Sequence, residues 1–116
     1  MNNLTIQSLP KKLILKKNRE FTEIIRFGKC FYGKFFKINA EKNETLKIGF
    51  TTRRVENAVK RNSLKRIGKE IARRSKALPQ LHAKVVILIK DEAVKVPHVL
   101  LQNDFENIIL KVLDQK

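Results

Sequence analysis

The alternation of apolar and polar residues changes period several times along this chain, and each change marks an element. Phe21, Ile24 and Ile25 share one helical face between Asn18, a candidate cap, and Gly28, a natural stop. That spacing predicts a first helix over Asn18–Phe27. From Lys34 to Ala40 the period falls to two, with Phe36, Ile38 and Ala40 on one side. Glu41–Thr45 reads as a polar turn. Leu46, Ile48 and Phe50 then alternate with Lys47, Gly49 and Thr51, which predicts a half-buried strand paired back on the previous one as a hairpin. A long helix follows, capped by Asn57, carrying Leu64, Ile67 and Ile71 as a narrow apolar stripe and stopped by Pro79. Ala83–Ile89 is nearly unbroken apolar sequence of strand length, as expected of a central strand covered on both faces. Phe105, Ile108, Ile109 and Val112 recur at i, i+3, i+4 and i+7, the pattern of a closing amphipathic helix.

The predicted order is helix, strand, strand, helix, strand, helix, with room for an extra short strand near Phe31. This is an α+β fold: three helices packed on a small, mainly antiparallel sheet. No repeat, low-complexity tract or flexible linker divides the 116 residues, so one domain is expected over 1–116, with the first ten residues loosely ordered up to Pro10. Apolar residues make up 42% of the chain, enough for one core.

Charge changes this picture from a generic fold to a functional one. Lys and Arg number 26 against 11 Asp and Glu, a net charge of +15. An excess of that size repels itself in a compact state, and a polyanionic partner would relieve the repulsion. The excess is also patterned: Arg53–Lys76 holds ten basic residues against Glu56 and Glu70. A smaller cluster comprises Lys11, Lys12, Lys16, Lys17 and Arg19. On the long helix, Arg61 and Lys65 stand four apart, as do Asn62 and Arg66, and Lys69 extends the first row. Cations and amides are thereby stacked along one surface, where Arg can fork a phosphate and Asn can donate to phosphate or ribose. A merely solvated face would mix Glu among the Lys, and here Glu is scarce.

Other chemistry finds little support. A single Cys, Cys30, excludes an internal disulfide and a multi-Cys zinc site, and beside Lys29 it reads as a packing residue. His82 and His98 are isolated and read as structural or solvent-exposed. The eleven acids are too scattered to assign a catalytic pair. Gly28–Lys34 satisfies the start of a phosphate-binding loop, but Phe35 stands where Ser or Thr must hold magnesium, and a helix precedes the segment where a strand is needed. The longest apolar run, Val85–Ile89, is far short of the roughly 20 residues of a membrane span. With no evident secretory signal, a reducing cytoplasm is the expected compartment. From composition alone, a ribosomal or nucleoid-type binder fits as well as a subunit that assists a reaction. Among the aromatics Phe35 stands out, because it shares the predicted strand face of Lys37 and Asn39 and could stack on a base.

One string separates these readings. Ile48-Gly49-Phe50 leads through Arg53-Arg54-Val55 into Asn57-Ala58-Val59-Lys60-Arg61-Asn62 and Lys65-Arg66, with Lys17, Glu20-Phe21 and Gly28 upstream. Over about Leu13–Leu113 the chain resembles the protein subunit of bacterial ribonuclease P. The resemblance implies an α-β sandwich with a left-handed crossover into the basic helix. It implies a catalytic RNA partner that binds magnesium and cuts precursor tRNA, with no cofactor bound by the protein alone and no catalytic side chains in it. The protein would hold the single-stranded 5′ leader. Arg53, Arg54, Asn57, Lys60, Arg61, Asn62, Lys65, Arg66 and Lys69 are the expected RNA-binding residues. Phe21, Phe36 and Lys17 are the expected leader-binding residues, lining a cleft between the first helix and the sheet. The free chain is expected to bind anions. Ser63 stands where the family usually has Arg, Glu56 where it has Gly, and Ile25 and Asn39 where aromatics are common, so weaker stacking is expected.

Overall fold

The computed structural model describes residues 13–15, 17–52 and 57–114. Its elements are α1 (Asn18–Phe27), β1 (Lys29–Tyr32), β2 (Phe36–Lys42), β3 (Lys47–Thr52), α2 (Ala58–Arg74), β4 (Ala83–Ile89) and α3 (His98–Asp114). Short 3-10 turns at Leu78–Gln80 and Asp91–Lys95 flank β4. The extra strand anticipated near Phe31 is β1. Met1–Pro10, expected to be loosely ordered, lies outside the described residues.

The four strands form one mixed sheet in the order β1-β2-β4-β3. β1 pairs antiparallel with β2, β2 antiparallel with β4, and β3 parallel with β4. This corrects the expected hairpin: β2 and β3 are consecutive yet never pair, because β4 lies between them. The loop 43–46 bridges two strand spacings, about 10 Å, and four linking residues at about 3.3–3.6 Å each are long enough to do so. The true hairpin joins β1 to β2, where Gly33 donates its N–H to Phe36 O at 2.9 Å. Asp104 on α3 accepts the N–H groups of Lys34 and Phe35, each at 2.9 Å, and so ties the turn to the last helix. Phe35 therefore precedes β2 and is half-buried against the core; it does not share the face of Lys37 and Asn39.

One face of the sheet carries Phe36, Ile38, Ile48, Phe50, Val85, Ile87 and Ile89, and α2 and α3 close over it. Leu64 and Ile71 from α2 and Leu101, Phe105 and Ile109 from α3 are wholly buried there. Phe36 and Phe105 meet edge to face at 5.4 Å, a geometry worth about 0.5–1.5 kcal/mol beyond the buried area. Gly68 lets α2 approach this face, since a Cβ there would sit 2.7 Å from Ile89 Cδ1.

The opposite face is covered only by α1 and the segment ahead of it. Leu15 donates its N–H to Ile48 O at 2.8 Å, laying residues 14–15 along the free edge of β3. Leu15, Ile24 and Val86 then make a small second core, with Phe21 against it. Asn18 does not cap α1: Lys17 occupies the cap position without a side-chain bond. Gly28 ends the helix for lack of space, because a Cβ would stand 2.6 Å from Ile24 O and 2.7 Å from Ala40 O.

Candidate nucleic-acid interface

Asn57 opens α2 as the sequence suggests, its Oδ1 accepting the N–H groups of Val59 at 2.8 Å and Lys60 at 3.3 Å. That cap is worth about 1 kcal/mol, and it leaves the Asn57 amide NH2 as the group able to donate to a phosphate or ribose. Beyond the cap, the 100° step of the helix sorts the cations. Leu64, Gly68, Ile71 and Ala72 turn inward. Lys65 and Lys69 border a cleft of about 490 Å³ along the free edge of β3. Arg61, Asn62 and Arg66 are exposed outside it. Lys60 inclines instead toward Asp91, 3.8 Å away. Arg53 and Arg54 lie outside the described residues, as do Lys11, Lys12, Lys16 and Glu56.

The cleft has α1 as its other wall. Phe21, Ile25, Phe50 and Thr51 line it together with the two lysines. Phe21 reaches this place because β3 has no side chain beneath it: a Cβ on Gly49 would stand 2.6 Å from Phe21 Cζ. Glycine inside a strand signals such a close approach, and this was the legible hint. Ile25, marked by the resemblance as a position where aromatics are common, does line the cleft, whereas Thr51 carried no comparable signal. Phe36 does not line the cleft. Its side chain points to the face under α2 and α3 and is 0% exposed, so no base can reach it. Lys17 is exposed beside Asn18 at the cleft's mouth.

The acid within α2 leaves its cationic surface intact. Glu70 accepts from Arg73 Nε at 2.8 Å and lies 3.3 Å from Arg74 Nη2. The Arg73 hydrogen bond holds its carboxyl below the usual range. His82 is exposed, its Nδ1 3.0 Å from Glu44 O in the loop before β3. Cys30, read as a packing residue, is exposed on β1. Among the described residues no three His, Cys, Asp or Glu side chains converge as a metal site would require. No helix among them is long and apolar enough to cross a membrane. A second cavity of about 630 Å³ lies at the far end of the sheet, walled by Phe27, Phe31, Leu81, Val112 and Leu113. Its lining is mainly apolar, unlike the cleft beside α2.

Residues 9–113 match the protein-family model described as Ribonuclease P. The chain belongs to the ribonuclease P protein family. It is 33% identical over 86 residues to the ribonuclease P protein component of Syntrophus aciditrophicus (strain SB), a match covering 72% of each chain. The RNase P protein of Thermotoga maritima superposes with a TM-score of 0.71 at 26% identity, over 82% of this chain and 93% of that one. A Staphylococcus aureus RNase P protein mutant with defective mRNA degradation activity shares the fold, with a TM-score of 0.72 at 24% identity over 90% of both chains. The family placement makes this chain the protein component of a ribonucleoprotein endoribonuclease with an RNA partner.

Proposed function

We propose that this protein binds the catalytic RNA of ribonuclease P through the exposed surface of α2 and the 5′ leader of precursor tRNA through the cleft beside it. It thereby assists endonucleolytic removal of the leader during tRNA 5′ maturation. The observation that carries this reading is the cleft itself: the half-exposed ring of Phe21 and the two cations Lys65 and Lys69 line the same solvent-open space. Aromatic faces that stack bases beside cations that follow the backbone are what an unpaired strand requires. Arg61, Asn62 and Arg66, exposed on the same cationic face but beyond the cleft's lining, serve the folded RNA, where Arg forks match phosphate.

Cleavage chemistry then belongs to the RNA, which holds the magnesium. The protein's contribution is to position and neutralise: the leader is held, and cations offset phosphate repulsion where the two RNAs meet. The free chain, with its net charge of +15, gains stability from sulfate or phosphate by mass action. The cytoplasm, where precursor tRNA is processed, is its place of work.

Reconstitution with the cognate catalytic RNA tests this reading. Adding the protein at low magnesium should raise precursor tRNA cleavage strongly, and the gain should shrink at high magnesium. Equal cleavage with and without the protein at both concentrations would reject the assignment.

A further inference from the structure

The cleft does not end at its walls. Across the α1 side of the sheet, Thr51, Leu88, Lys37 and Tyr32 sit opposite one another in successive strands β3, β4, β2 and β1. Thr51 lines the cleft. α1 crosses the neighbouring row, with Phe21 over Gly49 and Ile24 against Val86, and leaves the Thr51–Tyr32 row uncovered at its outer end. Tyr32 is 65% exposed. The Lys37 ammonium stands over its ring, 5.6 Å from the centroid.

We infer that this row is a continuation of the leader track, in which Tyr32 stacks a leader base upstream of those in the cleft and Lys37 takes the adjoining phosphate. This inference rests on the leader-binding reading above and extends it to two residues beyond the cleft's lining. Three features support it. The row is continuous with the cleft by backbone register. Its outer end offers one large exposed aromatic with a cation at hand, the pairing that sequence-tolerant single-strand sites use. Its floor is shallow and flanked by the exposed side of α1, where Ile25 stands 48% exposed. The bland alternative is an exposed edge tyrosine with no role in binding.

Distance sets the test. Thr51 to Tyr32 spans three strand spacings, about 14 Å, which a strand stacked at 3.4 Å covers in at most about four nucleotides. Short leaders should fill the cleft without reaching Tyr32. Binding to reconstituted holoenzyme is measured for precursor tRNAs whose leaders range from one nucleotide to roughly ten, well beyond that span. Tyr32→Ala should match wild type at the shortest leader and bind on the order of tenfold more weakly at the longest, the size expected for one lost base stack. Tyr32→Phe should recover wild-type binding. Lys37→Gln should show the same length threshold with a shallower salt dependence, and it serves as the test if Tyr32→Ala lowers the melting temperature. Coincident curves for wild type and variant at every length would overturn the extension, as would an equal loss at every length. Wild-type protein with no dependence on leader length would overturn the leader reading itself, a result recognisably different from the other two.

Discussion

The two faces of the sheet use the same strands for opposite purposes. Under α2 and α3 the centre of the sheet is closed, and Phe36, Ile38, Ile48, Val85, Ile87 and Ile89 are sealed to 1% exposure or less. Under α1 one helix covers a sheet that two helices close on the other side. Its centre is held by Leu15, Ile24 and Val86, while the β3 edge opens as the cleft and the Tyr32 end faces solvent. The difference teaches how a domain of this size can afford a polyanion site. Stability is concentrated on one face, so aromatic and cationic residues on the other can remain partly exposed for a ligand.

Replacing an aromatic on each face should therefore move different observables. On the closed face, Phe36→Ala should lower unfolding free energy by about 3–5 kcal/mol, the cost of a truncated core Phe. Urea denaturation measures it, and a loss below about 1 kcal/mol would mean that the closed face is not the main store of stability. On the open face, Phe21→Leu should keep the fold, since the swap retains most of the apolar volume. It should instead weaken precursor tRNA binding by about 1–3 kcal/mol, with mature tRNA, which lacks the leader, barely affected. A large drop in melting temperature with normal leader discrimination would return Phe21 to the core.

The comparison sharpens further within α2. Arg61→Ala with Lys65→Ala removes two neighbouring cations of one helical row, of which Lys65 lines the cleft and Arg61 stands exposed beyond its lining, and neither side chain belongs to the buried stripe. Circular dichroism should stay native, while the salt dependence of RNA binding flattens by about one to two phosphate equivalents. An unchanged slope would reduce both to solvated surface. The smallest effect belongs to Glu70→Gln. The Arg73 and Arg74 partners hold the Glu70 carboxyl below its ordinary range, so its stabilising contribution is present above that range and is lost as pH falls through it. The substitution should cost at most about 1 kcal/mol at neutral pH, as exposed ion pairs do, and nothing in strong acid. Thermal melts of the two proteins across acidic pH should converge, and curves that stay parallel would show that the ion pair is not what stabilises.

Periodicity placed α1 and β4 at their observed bounds and found the closing helix by its Phe105–Val112 stripe, though not its start at His98, because each buries a regular apolar pattern. The Arg-Asn string with its lysines was equally legible, since charge density along one helix needs no knowledge of the remainder of the fold. Neighbouring segments were assigned a hairpin for a physical reason that failed here. Alternation reports which face of a strand is buried, but carries no information about which strand lies beside it. That choice fell to tertiary burial: β4, apolar on both faces, takes the centre and separates β2 from β3. The same limit explains Phe36 and Phe21. Both are aromatic and both lie near the basic segment, yet strand pleat and helix placement send one into the sealed core and lay the other over Gly49 at the mouth of the cleft. Residue type determined that this protein would bind a polyanion; only packing decided which of its rings stayed open to one.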